Sequence, residues 1–290
     1  MPPMQATIPA FPASSGAFVQ LVRERIFRQC IEGYAFKANG DLRHVSAVLF
    51  LLGTGLSGEP VLILNKRSRH VRQPGDLCCP GGGVSPSVDR LLSKGLQLPA
   101  TPLSRWPQAH WWRRNRQSDW PKLALLLATA LREGFEEMRI NPFTLAFLGP
   151  LPSQHLIMFK RAIYPLVGWV GRQRQFSTNW EVEKIVRIPL AALLDVDNYA
   201  RYRLSFRTGK TDGSHMCDRD MPCFVHRQDG KHELLWGATY RITEQFLSSV
   251  FGFDPPPMMS LPIIHRQLDR HYLEGHARDR ADGPMGRSRG

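Results

Sequence analysis

The first part of the chain contains one helical and two extended hydrophobic patterns. Val45 to Leu52 is a continuous apolar run of strand length, and Val61 to Asn65 is a second one. Gly53 to Gly58 lies between them and supplies the Gly and Ser residues of a turn, so the two runs predict a β-hairpin. Upstream, apolar side chains recur at helical spacing and predict an amphipathic helix that packs on the main domain. These side chains are Phe18, Leu21, Val22, Ile26 and Phe27.

The later part of the chain predicts one long helix followed by short elements. Leu123 to Met138 contains no Pro, is rich in Leu and Ala, and predicts a helix. Short strands are predicted at Thr144 to Leu148, Ile157 to Ile163, Tyr164 to Gly171 and Glu181 to Ile188, with a helical turn at Leu190 to Leu194. A second hairpin is predicted from Tyr202 to Phe206 and Cys223 to Val225, and a final helix from Leu234 through Thr239 to about Val250.

These elements predict one α+β domain with extensions at both ends. Residues 1–42 form a lead-in with the amphipathic helix, and residues 43–252 form the main domain. Residues 90–122, approximately, interrupt this domain as an insertion. Residues 253–290 form a C-terminal extension, whose basic and polar tail from Gly275 is predicted to be disordered.

The charge of the chain indicates an anionic partner. Its formal net charge is +13 and its pI is about 10.0, which suits nucleic acid, an acidic surface or a phosphorylated small molecule. Residues 1–15 lack the pattern of a signal peptide, and the longest apolar run is far shorter than the ~20 residues of a membrane span. We therefore expect a soluble protein without a membrane partner, and the sequence leaves its oligomeric state open.

The cysteines indicate a reducing compartment. The chain has five, including an adjacent pair, which is a poor disulfide framework and predicts a cytoplasmic location. Four residues could be taken for a zinc site, but their spacing matches no common zinc finger, so ordinary loop residues are favoured. These residues are His215, Cys217, Cys223 and His226.

The predicted helix carries an acidic cluster. Glu133 is followed at i+3 and i+4 by Glu136 and Glu137, so all three share one face. Like charges at this spacing repel, whereas a hard divalent cation such as Mg²⁺ or Mn²⁺ takes carboxylate oxygens. Arg132 lies four residues before Glu136 and could hold one carboxylate in place. The alternative is a solvated surface charge run.

A glycine loop and a basic cluster precede this helix. Gly81, Gly82 and Gly83 allow the backbone to approach another group closely. A glycine loop followed by an acidic helix could form a metal and phosphate site between them. The basic residues just upstream are either a solvated loop or the entrance to that site. They are Lys66, Arg67, Arg69, His70 and Arg72.

The insertion interleaves tryptophans with arginines. This composition can stack on and neutralise single-stranded nucleic acid. We favour the alternative, a surface insertion whose tryptophans anchor it to the domain while its arginines face water, because the spacing follows no recognisable code. The residues are Trp106, Trp111, Trp112 and Trp120, with Arg105, Arg113, Arg114 and Arg116.

The glycines, the Arg-Glu pair and the Glu-Glu pair together resemble the Nudix box, G-x5-E-x7-R-E-U-x-E-E-x-G-U, in which U is aliphatic. The resemblance is closest to the coenzyme A diphosphatase-like branch, and its motifs occur in the expected order over residues 45–250. The matching segments are Leu64 to Ser68, Gly75 to Gly82, Thr129 to Glu137, Asn179 to Val182, Ile188 to Leu190 and Leu235 to Thr239.

Three positions depart from the branch pattern. Arg139 stands where a helix-terminal Gly is expected, and a left-handed backbone there would cost Arg about 1 kcal/mol against Gly. Asp89 and Thr129 are separated by the long insertion, where the branch has only a handful of residues. Cys78-Cys79 replaces an apolar-aromatic pair. None of these changes removes an expected metal ligand.

The resemblance implies an α/β/α sandwich with a mixed sheet and a metal-dependent active site. It implies that Mg²⁺ or Mn²⁺ is held by Glu133, Glu136 and Glu137, with the Gly82 carbonyl as a further ligand. Arg132 would orient the glutamates, and Glu181 or Glu183 would add a further acid. The remaining residues implied to bind substrate are Lys66, Arg67, Arg69, Arg72, Gly81, Gly82 and Gly83.

The implied substrate is a nucleoside diphosphate linked to another group, with coenzyme A or acyl-coenzyme A first. Its 3′-phosphate and diphosphate suit the basic cluster. Hydrolysis of ADP-ribose or NADH is the first alternative. A non-catalytic Nudix-fold protein that binds RNA or a nucleotide is the second, and a nucleic-acid partner is not favoured because the charged positions of Arg-Glu-x-x-Glu-Glu are intact.

Overall fold

A computed structural model describes residues 11–12, 14–32, 42–156, 161–208, 215–228, 230–267 and Tyr272. The tail that the sequence predicts from Gly275 lies outside these residues. Within them, no helix is both long enough and apolar enough to cross a bilayer.

The centre of the larger sheet is a pair of parallel strands. Strand β1 (Val45–Thr54) runs beside β7 (Arg161–Val170), with Val45 opposite Ala162 and Gly53 opposite Val170. Strand β2 (Pro60–Arg67) pairs antiparallel with β1, which confirms the predicted first hairpin. The sheet is therefore mixed. Its other strands are β3 (Leu77–Cys78), β4 (Gly81–Gly83), β5 (Ala146–Pro150), β6 (Gln154–Leu156) and β8 (Val182–Pro189).

Helices cover both faces of this sheet. Leu49 of β1 lies against Gly134 of the long helix α4 (Trp120–Met138), whereas the ring of Phe50 lies 4.6 Å from that of Phe246. Consecutive strand residues point to opposite faces. Helix α4 thus covers one face, and α6 (Gly237–Phe251) covers the other.

The amphipathic N-terminal helix joins the face opposite α4. Helix α1 (Ser15–Glu32) buries Phe18, Val22 and Ile26, and Phe18 contacts Trp169 of β7. The predicted α+β class and α/β/α sandwich are confirmed. The remaining helices are α2 (Pro86–Gly95), α3 (Ala109–Asn115) and α5 (Leu190–Leu193).

A second, smaller sheet follows the larger one. Its order is β11–β10–β9–β12, and β9 (Tyr199–Thr208) pairs antiparallel with β10 (His215–Gln228) as the predicted second hairpin. Strand β12 (Ile263–Gln267) belongs to the predicted C-terminal extension and pairs in parallel with β9. The extension therefore contributes a strand to this sheet.

One predicted helix start and one predicted division between strands are corrected by strand pairing. The segment from Leu234, predicted as helix, ends strand β11 (Lys231–Trp236), because these residues pair with β10 and helix α6 begins only at Gly237. The two strands predicted around Ile163 and Tyr164 are one strand from Arg161 to Val170, because β1 pairs with it without interruption. Residues 157–160 of the predicted strand lie outside the described residues.

The tryptophans of the insertion belong to the hydrophobic core. Trp106, Trp112 and Trp120 are all buried, and they pack in the same cluster as the central strands. Arg113 and Arg116 lie over the rings of Trp120 and Trp112, with guanidinium-to-ring distances of 4.9 and 5.5 Å. The anchoring interpretation is thus confirmed for these three side chains.

Candidate active site

The glycine loop lies directly on the acidic helix. A Cβ atom at Gly82 would be 2.5 Å from Cδ of Glu133, and one at Gly81 would be 2.4 Å from the Ala47 carbonyl oxygen. Gly81 also has φ of 151°, which L side chains rarely adopt. Glycine is therefore required at position 81, where a side chain would meet backbone, whereas at position 82 a side chain would displace the Glu133 carboxylate.

Arg132 connects this loop to the carboxylates. Its Nε lies 2.7 Å from Oδ1 of Asp89, and its two terminal nitrogens contact Glu133 at 2.9 Å, Glu136 at 3.2 Å and the carbonyl oxygen of Gly83 at 3.2 Å. Its hydrogen bond with Asp89 is the largest cause of a raised guanidinium pKa. The prediction that Arg132 holds a carboxylate in place agrees with these contacts.

Asp89 is a site residue that the sequence did not reveal. Its side chain is fully buried and accepts hydrogen bonds from the Ser85 backbone at 2.7 Å and from Oγ1 of Thr129 at 2.8 Å, besides those from Arg132. The available signal was an acid in the first turn of a helix that begins at Pro86 just after the glycine loop. The insertion separates Asp89 from Arg132 in the sequence, so no local pattern indicates that the two side chains pair.

Glu137 is the most buried of the three helix glutamates. Nδ2 of Asn65 donates to Glu137 Oε2 at 2.5 Å. Burial, together with the negative charges of Glu133 and Glu181, raises the pKa of Glu137 to about 8, while a backbone hydrogen bond from Gly81 opposes them. Glu137 is therefore an acidic group that a neighbouring cation would favour in its ionised form.

Glu133 and Glu136 are progressively more open. Burial raises the pKa of Glu133, and the charges of Glu136 and Glu181 act in the same direction, against the opposing charge of Arg132. The Glu136 side chain is 53% exposed. The cluster thus extends from the interior to the solvent.

Of the two further acids predicted, only Glu181 belongs to this cluster. The Glu181 carbonyl accepts from Ser68 N at 2.8 Å, and the neighbouring Asn179 N donates to the Glu137 carbonyl at 3.1 Å. Glu183 instead forms an ion pair with Lys66 at 3.4 Å. The backbone of residues 179–181 therefore brings Glu181 to the acidic face of α4.

The residues present fit a hard divalent cation. Across the described ranges, no three His, Cys, Asp or Glu side chains form a ready-made metal site. Neighbouring carboxylates nevertheless help to raise the pKa of Glu133 and of Glu137, and Oδ1 of Asn65 is buried without a hydrogen-bond partner among the described residues. Carboxylate, amide and carbonyl oxygens are the ligands that Mg²⁺ and Mn²⁺ prefer. A cation would relieve the repulsion and could use the unpaired amide oxygen.

The proposed zinc residues do not converge where they are described. Cys223 and His226 lie three residues apart on β10, so their side chains point to opposite faces of the sheet. The side chains of His215 and Cys217 lie outside the described residues. Cys223 and His226 therefore do not converge on one position across β10.

The basic cluster divides into paired and exposed members. Lys66 contacts Glu233 at 3.2 Å as well as Glu183, and Nε of Arg67 donates to the Arg72 carbonyl at 2.7 Å. The side chains of Arg69 and Arg72 are exposed. The charge open to an incoming phosphate is thus mainly that of Arg69 and Arg72.

No family model and no curated protein matches the chain. Some solved structures are similar in part. RenU, a Nudix hydrolase from M. smegmatis, is 13% identical over 51% of this chain and 71% of its own, with a TM-score of 0.33. The NUDIX domain of Shewanella oneidensis NrtR, complexed with ADP ribose, is 13% identical over 58% and 85%, with a TM-score of 0.31.

A MutT/nudix family protein from Enterococcus faecalis is 9% identical over 83% of this chain and 76% of its own, with a TM-score of 0.37. Similarity at this level carries no argument about family or activity. The chemistry of the site itself must decide what the chain does.

Proposed function

We propose that the chain is a divalent-cation-dependent Nudix hydrolase that cleaves the diphosphate bond of a nucleoside diphosphate linked to another group. The observation that carries this proposal is the acidic cluster beside the glycine loop, in which the charge of Glu181 raises the pKa of both Glu133 and Glu137. A solvated charge run would be neither buried nor enclosed by backbone. A bound cation would offset the repulsion among these carboxylates and would attract an anionic substrate.

The roles of the residues follow from their contacts. When bound, a divalent cation supplies charge to the pyrophosphate oxygens and lowers the pKa of the attacking water. Glu133, Glu136 and Glu137 would hold it, and the Gly82 carbonyl is a further candidate ligand. Arg132 fixes Glu133 and Glu136 through charge-assisted hydrogen bonds. Water adds to one phosphorus, the bond to the bridging oxygen breaks, and a glutamate accepts the proton.

Coenzyme A or acyl-coenzyme A is the substrate that we propose first. Hydrolysis would give adenosine 3′,5′-bisphosphate and the 4′-phosphopantetheine half. Arg69 and Arg72 are exposed, Arg69 follows Ser68, whose N–H donates to the Glu181 carbonyl, and the Arg72 carbonyl accepts from Arg67. Both arginines therefore belong to a segment that adjoins the backbone of Glu181. They are suited to the 3′-phosphate, which ADP-ribose and NADH lack.

The direct test is incubation of the purified protein with coenzyme A and either Mg²⁺ or Mn²⁺. Product formation is expected with at least one metal. Turnover of ADP-ribose or NADH without turnover of coenzyme A would overturn the substrate assignment and keep the Nudix proposal. Glu136→Gln with Glu137→Gln should abolish hydrolysis, whereas Glu24→Gln, on an exposed position of α1, should leave it intact. Hydrolysis that survives the double change refutes the mechanism.

A binding protein for RNA remains the alternative from another class. Arg113 and Arg114 are exposed on α3 and could contact phosphates. The burial of Trp106, Trp112 and Trp120 removes three of the four rings that would stack on bases. RNA binding that weakens steeply with salt and is lost in Arg113→Ala with Arg114→Ala, without hydrolysis by the wild type, would favour this alternative.

A further inference from the structure

The last described residue of the chain contacts the segment that leads into the glycine loop. The backbone N–H of Gln73 donates to the carbonyl of Tyr272 at 2.7 Å, and the Tyr272 hydroxyl donates to the carboxylate of Asp76. Tyr272 is buried. These contacts lie outside the metal and phosphate site described above.

Asp76 collects donors from separate parts of the fold. Nε1 of Trp236, at the end of β11, donates to its Oδ1 at 3.2 Å, and the guanidinium of Arg266, on β12, lies 3.7 Å from the same oxygen. The Trp236 and Tyr272 rings are stacked with centroids 6.4 Å apart, and Arg266 lies over Tyr272. The second sheet and the C-terminal extension therefore converge on one carboxylate.

Asp76 is in turn joined to the active-site strands. Its carbonyl accepts from the backbone N–H of Arg67 at 2.9 Å, and β3 follows it directly, with Cys78 paired to Asn65 on β2. Asn65 is the residue whose amide binds Glu137. The Asp76 backbone is thus connected to the acidic cluster through the pairing of β3 with β2 and through the hydrogen bond from Asn65 to Glu137.

We infer that Asp76 is a positioning residue, and that Asp76, Trp236, Arg266 and Tyr272 form a clasp by which the C-terminal extension fixes the glycine loop and Asn65 over the acidic helix. A contact that only secured the chain end would not need a charge, since a carboxylate largely withdrawn from water is costly unless its partners are well placed. The Asp76 side chain is 13% exposed, and its directional donors favour one geometry over others. A site composed of the glycine-loop backbone and the Asn65 amide requires such a fixed geometry.

The first test compares two tyrosine variants. Tyr272→Phe removes only the hydroxyl that binds Asp76 and keeps the ring on Trp236. Tyr199→Phe is the matched control, because it removes another buried tyrosine hydroxyl, at the start of β9, that donates to the Leu193 carbonyl at 2.6 Å. Hydrogen exchange is measured on the peptide covering residues 73–83 of the full chain. We expect about tenfold faster exchange there in Tyr272→Phe, since its hydrogen bond is to a charged group, and no change in Tyr199→Phe.

The second test measures turnover and rests on the proposed function. We expect kcat to fall about tenfold in Tyr272→Phe with little change in KM, at temperatures well below unfolding, because the loop and Asn65 act at the reacting centre. Tyr199→Phe should lose stability but keep kcat. Asp76→Asn should resemble Tyr272→Phe, and the double variant should be no worse than either alone, as for residues that act together.

Each result decides a separate point. Unchanged exchange at residues 73–83 in Tyr272→Phe overturns the clasp. Faster exchange with an unchanged kcat overturns the positioning role. If the wild type hydrolyses none of the nucleotides, the proposed function fails, and the exchange comparison alone then decides the clasp.

Discussion

Asp89 and Arg132 lie 43 residues apart in the chain, yet Nε of Arg132 is 2.7 Å from Oδ1 of Asp89. The insertion leaves along α2, which contains Asp89, and returns along α4, which contains Arg132. The ion pair joins the two helices at the point where the chain departs from the glycine loop. The insertion therefore does not separate the glycine loop from the acidic helix.

Replacing Asp89 should destabilise the whole domain. In Asp89→Asn the partly buried guanidinium of Arg132 loses its closest, fully buried anionic partner, and we expect the free energy of unfolding to fall by about 3 kcal/mol. Asp119→Asn is the control, since Asp119 also pairs with an arginine, Arg116, at 2.9 Å but lies nearer the surface. Asp119→Asn should lower the free energy of unfolding by less than about 1 kcal/mol. Urea unfolding measures both, and equal losses would contradict the central role of the Asp89 pair.

Arg139 should be replaceable by Gly with a gain in stability. Its φ of 55° places it in the left-handed region at the C-terminus of α4, as the family pattern suggested. Arg139→Gly relieves this conformation and should raise the free energy of unfolding by about 1 kcal/mol relative to Arg139→Ala. The alanine variant keeps the backbone strain and also loses the contact of the guanidinium with Phe135 at 4.9 Å. Thermal unfolding of the pair measures the difference, and equal midpoints would rule out the conformational cost.

The stability of the metal-free protein should fall as pH rises through the titration of Glu137. The folded-state pKa is raised from the usual 4.5 to about 8. Between these values the folded protein holds a proton that the unfolded chain has lost, so the free energy of unfolding decreases with pH and levels off above about pH 8. One proton limits the slope to about 1.4 kcal/mol per pH unit.

The control for this pH dependence is Glu137→Gln, which keeps the other titrating groups. The difference between the wild-type and variant unfolding curves from pH 5 to 8 reports Glu137 alone. Addition of Mn²⁺ should reduce the wild-type slope, because the cation favours the ionised carboxylate. Parallel wild-type and variant curves in the absence of metal would mean that Glu137 titrates normally.

Arg69 and Arg72 should bind the 3′-phosphate of coenzyme A. In Arg69→Ala with Arg72→Ala, KM for coenzyme A should rise about tenfold with kcat unchanged, because two exposed charges contribute binding rather than chemistry. Dephospho-coenzyme A lacks the 3′-phosphate and is the matched substrate. Its KM should be the same in both proteins. A similar rise for both substrates would assign the arginines to the diphosphate instead.

The insertion should be inseparable from the domain. Trp112 is fully buried in the main core, so Trp112→Ala should cost about 3–5 kcal/mol of unfolding free energy. Leu91→Ala, at a position 71% exposed on α2, should change it by less than about 0.5 kcal/mol. Denaturant titration compares them. A small effect at Trp112 would show that the insertion is an appendage after all.

The sequence predicted those parts of the fold in which one local pattern decides the structure. The central hairpin and α4 were predicted because continuous apolar strands and a Leu- and Ala-rich helix have distinct periods. The start of α4 at Trp120 was missed, although Pro121 in its first turn is a helix-start signal. Leu234 to Trp236 became strand because β10 pairs with it, and that pairing is non-local.

The candidate site was predictable to the extent that its residues are close in sequence. The proximity of Glu133, Glu136 and Glu137, and of Arg132 and Glu136, follows from helical spacing. The resemblance was needed to interpret them as a site. Asp89 could not be assigned to Arg132, since nothing local indicates that α2 packs on α4. The different surroundings of Glu181 and Glu183 could not be predicted either. The path of the backbone determines that Glu181 joins the cluster and that Glu183 contacts Lys66.

The parallel pairing of β1 with β7 also determines when the site can form. These strands are separated by the glycine loop, the insertion and the acidic helix, so Val45 meets Ala162 only after that intervening chain has been synthesised. Contacts of such long sequence separation slow folding. On the ribosome, the glutamates and the loop should therefore remain unassembled until β7 emerges, and a truncated chain that ends before Val170 should have no cation-binding site.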